Sequence, residues 1–185
     1  MRKRNSELSH PYGSYGSGFF EWLHIFFVAV VIVGLVHTCV FQLIRVDGIS
    51  MMPTMSDDTY VVVSRLSYLF GEPEFGDIIV FYNENDEYNY VKRVIGIPGD
   101  EIIIKDGDVY RNGNLLKEPY IADYTDGEYR ENVSVGTYFC MGDNRNLSID
   151  SRNDGVGCIE EKQIIGKVVC SVFPYKNYNR GIIYE

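Results

Sequence analysis

The chain has 185 residues, of which 45% are hydrophobic and 23% charged, with a net charge of −9 at neutral pH. Residues 1–18 carry Arg2, Lys3, Arg4 and Glu7 for a net +2, residues 19–44 carry only Glu21, and residues 45–185 carry 14 basic and 24 acidic groups for a net −10. An acidic domain without a basic stripe argues against nucleic acid as a partner. The roughly 140 residues beyond an apolar N-terminal segment make one domain able to bury a core.

In chain order, residues 1–18 are polar and contain Gly13, Gly16 and Gly18, which reads as a short flexible tail. From Ile25 to Val36 no side chain is polar. Extended through His37 to Ile44, the run reaches the roughly 20 residues that span a bilayer as a helix. Tyr12, Tyr15 and Trp22 suit an interfacial aromatic belt, and Arg2, Lys3 and Arg4 place the N-terminus in the cytoplasm by the positive-inside rule. A cleaved secretory signal would have a shorter apolar core and a small-residue exit site. Here the run exits through Phe41-Gln42-Leu43-Ile44-Arg45, so the expectation is a cytoplasmic tail (1–18), an uncleaved transmembrane anchor (19–44) and an extracytoplasmic domain (45–185).

Beyond residue 45 the chain reads as β structure. β-Branched or apolar runs occur at Thr59–Val63, Asp77–Tyr82, Val91–Ile97, Ile102–Ile104, Thr137–Met141 and Ile164–Val172. Asp108–Leu116 around Asn112-Gly113 reads as a hairpin with a type I′ turn, because Asn-Gly accepts positive φ cheaply. Ile159–Ile164 can form at most one helical turn. The expected class is mainly β: a compact, barrel-like antiparallel domain behind one transmembrane helix.

Ser50, in Gly48-Ile49-Ser50-Met51-Met52-Pro53-Thr54, is a candidate nucleophile, although a serine beside methionines is usually only structural. A serine needs a base to take its proton. His10, His24 and His37 all lie in the tail or the apolar segment, so a Ser-His-Asp triad is close to excluded. Lys92 is the alternative. Strand alternation puts Tyr90, Lys92 and Val94 on one face and Arg93 on the other, and burial among such neighbours lowers an amine's pKa. A strand lysine is also, commonly, a solvated surface charge. A third cluster, Met141–Arg152, is polar and flanked by strands. It is either an ordinary turn-rich loop or a support for the site, with Ser148 bonding the lysine amine and Asp150 pairing with Arg152. The spacing of Cys39, Cys140, Cys158 and Cys170 gives neither a zinc pair nor CxxC chemistry. Cys140 and Cys158 are read as small core residues, with a disulfide as the alternative.

These clusters, in this order behind one apolar segment, resemble bacterial type I signal peptidase (leader peptidase). Ser50-Met51-Met52-Pro53-Thr54 resembles the family's nucleophile motif, Gly76–Phe81 its next strand, Lys92–Asp100 its general-base box, and Gly142-Asp143-Asn144-Arg145 with Ser148 and Asp150-Ser151-Arg152 its last box. The resemblance implies a Ser-Lys dyad: Ser50 attacks the scissile carbonyl and forms an acyl-enzyme, and Lys92 takes the proton and later activates water. It also implies that Ser148 orients the lysine and that Asp150 and Arg152 hold the site together. Some members have a serine where this chain has Gly48, so the oxyanion is left to the Ser50 N–H and a second donor from the Gly48 region. About 40 residues between the last two boxes leave little room for the accessory β insertion of some members.

Ser50 lies six residues past Ile44, a reach of at most about 20 Å, which tethers it to the outer surface of the plasma membrane. There a preprotein presents its signal-peptide cleavage site. An extended substrate can pair with a strand edge, and Ile49, Met51 and Met52 are expected to line small apolar pockets that admit alanine. No metal or cofactor is expected. The alternatives are a relative dedicated to a pilin-type substrate and a non-catalytic anchored β binding module. A self-cleaving repressor-type relative is disfavoured by the anchor and by the lack of a basic DNA-binding region.

Overall fold

The computed structural model describes residues 15–173 together with Lys176 and Asn177, with side chains described for residues 18–34 and 40–173. The basic and aromatic residues of the expected tail (Arg2, Lys3, Arg4, Tyr12) and the side chains of Tyr15, His37 and Cys39 lie outside the described residues. The chain divides into two units, residues 1–38 and 39–185.

Helix α1 spans Tyr15–Val40. Phe19, Phe20, Trp22, Phe26, Phe27 and Val33 on it are all more than 60% exposed. Among the described residues, no helix is long and apolar enough to cross a membrane. The helix also stops short of the expected boundary at residue 44. Phe41–Val46 forms strand β1, which pairs antiparallel with β2 (Thr59–Ser64) over six consecutive positions, from Phe41 opposite Ser64 to Val46 opposite Thr59. Tyr60-Val61-Val62-Val63 offers a complete β ladder, and pairing with it satisfies the backbone groups of β1 that a helix would have satisfied internally.

The larger sheet continues with β3 (Ile78–Asn83), β4 (Tyr88–Gly96), β9 (Thr137–Met141), β10 (Ile159–Glu160), β11 (Ile164–Phe173) and β12 (Lys176–Asn177). Its order is β1-β2-β11-β3-β4-β9-β10, with β12 on β11. A second sheet has β5 (Glu101–Lys105), β6 (Asp108–Arg111), β7 (Asn114–Leu115) and β8 (Tyr129–Asn132) in the order β7-β6-β5-β8. All the pairings are antiparallel. No barrel is closed among the described residues: β1 and β10 stand at opposite ends of the larger sheet, each with a single strand neighbour there. The Asn112-Gly113 hairpin has positive φ at both residues, 53° and 78°, as a type I′ turn requires.

The strand runs read as continuous apolar stretches because both faces are covered. Ile78 and Val80 of β3 pack with Val61, Val63, Val91 and Val168, while Ile79 and Phe81 pack with Val94, Tyr138, Cys140 and Ile159. A third cluster joins Ile95, Phe139 and Met141 of the larger sheet to Ile102, Ile104 and Val109 of the smaller one. The cysteines fall on different sides of this arrangement: Cys140 belongs to the Val94–Tyr138 cluster, Cys158 packs beside Phe139 and Met141, and both are free thiols. Burial pushes the Cys140 thiol upward, which keeps it protonated and inert.

Between β1 and β2 the chain makes a loop whose neck is cinched by the Asp58 N–H on Val46 O (3.0 Å), Arg45 Nε on Asp58 Oδ1 (2.6 Å) and the Gly48 N–H on Asp57 Oδ1 (2.7 Å). Met51 and Met55, each 1% exposed, plug it into the core. Gly166 marks where β11 meets β2 most tightly. A Cβ there would lie 2.5 Å from Ser64 O and 2.9 Å from Val63 Cγ1. Gly166→Ala is expected to cost about 1–3 kcal/mol by overpacking, read as a fall of several degrees in Tm; an unchanged Tm would contradict this packing.

Candidate active site

Lys92 lies in the middle of β4, directly opposite Ile79 on β3, with Tyr90 and Val94 at the alternate positions on its own strand. The lysine is 2% exposed. Its Nζ hydrogen-bonds Ser50 Oγ at 2.7 Å and lies 5.2 Å from the centre of the Tyr90 ring. Loss of hydration drives its pKa down from 10.5 to about 8, against the opposing pull of Asp150, Cys140 and Asp143, with the positive charge of Arg152 adding to the fall. The buried amine thus has an appreciable neutral fraction near neutral pH, and its one hydrogen-bond partner among the described residues is a serine hydroxyl. That is the arrangement in which a lysine can take a hydroxyl proton.

A groove of about 680 Å³ opens over this pair. Its walls come from Ile44–Ser50 on one side and Asp86–Lys92 on the other, with Leu147 and Ile149 contributing from the loop after β9. Of the three residues expected to line substrate pockets, Ile49 lines this groove. Met51 does not, because it is buried in the core, and Met52 lies outside the groove lining, 40% exposed. Successive residues of a folded loop point in different directions, so neighbourhood in sequence did not carry over to a shared surface.

The segment from Gly142 to Arg152 braces Ser50. The Asn144 N–H donates to Ser50 O at 3.0 Å and its side-chain amide donates to Ile49 O at 3.1 Å. Thr54 Oγ1 donates to Asp143, which also receives a two-pronged bond from Arg93 at 2.6 and 2.8 Å in a fully buried pair. Arg93, on the face of β4 opposite Lys92, thereby ties that strand to this loop. Asp150 and Arg152 form a fork at 2.8 and 2.9 Å, and Asp150 Oδ2 also accepts the Gly142 N–H at 2.9 Å. Ser151 bonds both backbone groups of Cys140, extending the edge of β9.

Two expectations are not met by this geometry. Ser148 does not bond Lys92: its Oγ is buried with no hydrogen-bond partner among the described residues and occupies the space that a Cβ on Gly142 would need. Gly48 does not offer its own N–H to an oxyanion, because Asp57 already accepts it. Gly48 instead supplies a backbone with φ of +104°, in the region that glycine adopts without strain. The Ser50 N–H donates to no group among the described residues. Asn144, Thr54 and the Arg93–Asp143 pair went unassigned in the sequence reading, although all lie inside the motifs it singled out.

A family model described as "Signal peptidase, peptidase S26" matches residues 19–173. The chain belongs to the signal peptidase family, peptidase S26. It is 35% identical over 172 residues to signal peptidase I of Bacillus licheniformis, covering 87% of this chain and 92% of the relative. It is 38% identical to signal peptidase I of Bacillus caldolyticus (82% and 90%) and 35% identical to signal peptidase IB of Staphylococcus aureus (87% and 93%). A crystal structure of signal peptidase I from Enterococcus faecalis aligns at 29% identity and a TM-score of 0.48, covering 52% of this chain and 97% of that one. The protein is thus a serine peptidase, a hydrolase acting on preproteins that carry signal peptides, and the alternative of a non-catalytic binding module falls.

Gly142 sits where the loop meets Ser50: a Cβ there would lie 2.2 Å from Ser148 Oγ and 2.5 Å from the carbonyl oxygen of Ser50. Gly142→Ala must push the Ser50 backbone away, and a displacement of about 1 Å costs roughly 10²-fold in rate. A variant with near-normal kcat on a preprotein substrate would contradict this contact.

Proposed function

We propose that this protein cleaves signal peptides by a Ser50–Lys92 dyad and an acyl-enzyme, while anchored in the plasma membrane by its N-terminal helix. The observation that carries the reading is the buried Lys92 amine, 2.7 Å from Ser50 Oγ.

In the first step neutral Lys92 takes the Ser50 hydroxyl proton as Oγ attacks the scissile carbonyl carbon. The oxyanion that forms lies within reach of the unengaged Ser50 N–H, the type of donor that stabilises such charge. Lys92, now an ammonium, returns its proton to the leaving nitrogen. The C–N bond breaks and the signal peptide remains as an ester on Ser50. Water then attacks the ester carbonyl with Lys92 taking its proton, and the proton passes to Ser50 Oγ as the ester bond breaks. Asp150, Arg152 and Asn144 hold the two reacting groups in register.

Several features support the membrane setting. Helix α1 exposes Phe19, Phe20, Trp22, Phe26, Phe27 and Val33, a surface that suits contact with lipid. Its described side chains are apolar all round apart from Glu21 and His24, and an isolated helix of that kind needs an apolar surrounding. Exposed Ile49, Met52, Leu147 and Ile149 around the nucleophile suit a site that works at a lipid surface. The basic N-terminus then remains in the cytoplasm and the acidic domain lies outside.

Ser50→Ala and Lys92→Ala, assayed on a preprotein in detergent, are expected to abolish cleavage, as is Lys92→Arg, because a guanidinium does not deprotonate at usable pH. Retained activity in any of them would sink the dyad. With Lys92 active only when neutral and its pKa near 8, kcat/KM should climb about tenfold per pH step well below 8 and level off above it; a flat profile across that range would exclude a lysine base. For topology, Val135→Cys, at a site 93% exposed, should react with an impermeant maleimide on intact cells. Reaction only after lysis would reverse the orientation.

A further inference from the structure

Beyond the reacting pair, one buried cluster has no part in the chemistry described above. After β7, the chain sends Glu118 and Tyr120 against the loop that follows β9. Glu118 accepts from Arg145 through both carboxylate oxygens, at 2.5 and 2.7 Å, and its Oε1 also accepts the Tyr120 hydroxyl at 2.6 Å. The Arg145 and Glu118 side chains are 0% and 5% exposed. The Tyr120 ring lies 4.0 Å from the Arg93 guanidinium and 5.9 Å from that of Arg145.

Arg145 is the hub of the loop. Its Nε donates to Gly142 O at 3.2 Å, one terminal nitrogen donates to Thr125 Oγ1 at 3.0 Å, and its own carbonyl accepts from Arg152. Its sequence neighbour Asn144 makes both bonds to the backbone of Ile49 and Ser50. Where the Arg145 head sits therefore decides where the contacts to the nucleophile sit. A guanidinium cannot shed its proton in a protein. Without Glu118 it would be a buried charge lacking its counter-ion, which is strongly disfavoured. It must then move toward water or toward Asp143, which Arg93 already occupies. Either move shifts the loop.

We infer that Glu118 is a positioning residue for the Ser50–Lys92 pair, acting through Arg145 to fix the Gly142–Ser148 loop against the nucleophile. The inference rests on the reading of Ser50 and Lys92 as the catalytic dyad. It gives the small sheet a part in catalysis, since the strap that carries Glu118 and Tyr120 runs between two of its strands, β7 and β8.

The test uses the full chain in detergent with a preprotein substrate. Glu118→Gln keeps the size of the side chain and removes the charge. Its kcat should fall roughly 10–10²-fold, as for a misplacement of up to about 1 Å, with KM little changed. The acid limb of kcat/KM should also move to higher pH, because water entering a loosened site relieves the desolvation that depresses Lys92. Glu101→Gln, which breaks the more exposed ion pair with Arg130, is the control and should leave both unchanged. A Glu118→Gln enzyme with lowered Tm but normal kcat and an unmoved acid limb, measured where it is folded, would overturn the inference, as would one indistinguishable from wild type. If Glu118→Gln does not fold, Tyr120→Phe decides: it removes one donor to Glu118 and keeps the ring on Arg93. A several-fold loss of kcat with the same shift of the limb supports the role, and unchanged kinetics reject it. Activity surviving in Ser50→Ala or Lys92→Ala would instead defeat the dyad reading itself, so the two failures are separable.

Discussion

Lys92 brings an amine into a place that water barely reaches, and the rest of the site is arranged around that burial, which disfavours the ammonium form. Moving that amine from its ordinary value to about 8 corresponds to roughly 3 kcal/mol in favour of the neutral form. The fold obtains it by placing Lys92 in the centre of a strand covered on both faces, with Ile79 opposite and Tyr90 alongside. The carboxylates of Asp143 and Asp150 pull the other way, and each is engaged by an arginine, Arg93 and Arg152 respectively. The pairing of those acids limits their pull on the amine beside them.

The second requirement is that Ser50 stay within reach of that amine although it lies on a loop. Met51 and Met55 anchor the loop from inside, and the Arg45, Asp57 and Asp58 contacts close its neck. From above, Asn144 holds the carbonyls of Ile49 and Ser50. Loops carry reacting groups well when a rigid scaffold fixes them. Here the scaffold is a chain of buried ion pairs running from Arg93 through Asp143 and, by way of Tyr120, to Glu118 and Arg145. Such pairs contribute little to net stability compared with apolar packing, yet they are costly to break one-sidedly, which suits them to fixing a geometry.

Much of this was legible in the sequence, and the exceptions have physical reasons. Ser50 and Lys92 stand out because no histidine lies in the domain and because the motifs occur in a fixed order. The β-branched runs and Asn112-Gly113 gave the strands and a turn. The end of the helix was not visible, because Val40 and Phe41 are both apolar and no charge or glycine separates helix from strand. The open form of the larger sheet was hidden because β11, from near the C-terminus, inserts between β2 and β3, and local pattern says nothing about strand order. Met51 read as a pocket residue because its direction depends on a loop fold that has no period. Glu118 gave no signal at all: its partner lies 27 positions away, and an isolated glutamate in a polar stretch looks like a solvated charge.

The central claim is that Lys92 is a neutral base within the folded protein. The direct measurement is an NMR titration of the lysine side-chain carbons in selectively labelled enzyme, with the Lys92 signal identified by its loss in Lys92→Met. The account predicts one lysine titrating with a midpoint near 8. A Lys92 signal that titrates with the bulk of the lysines, near 10.4, would contradict it.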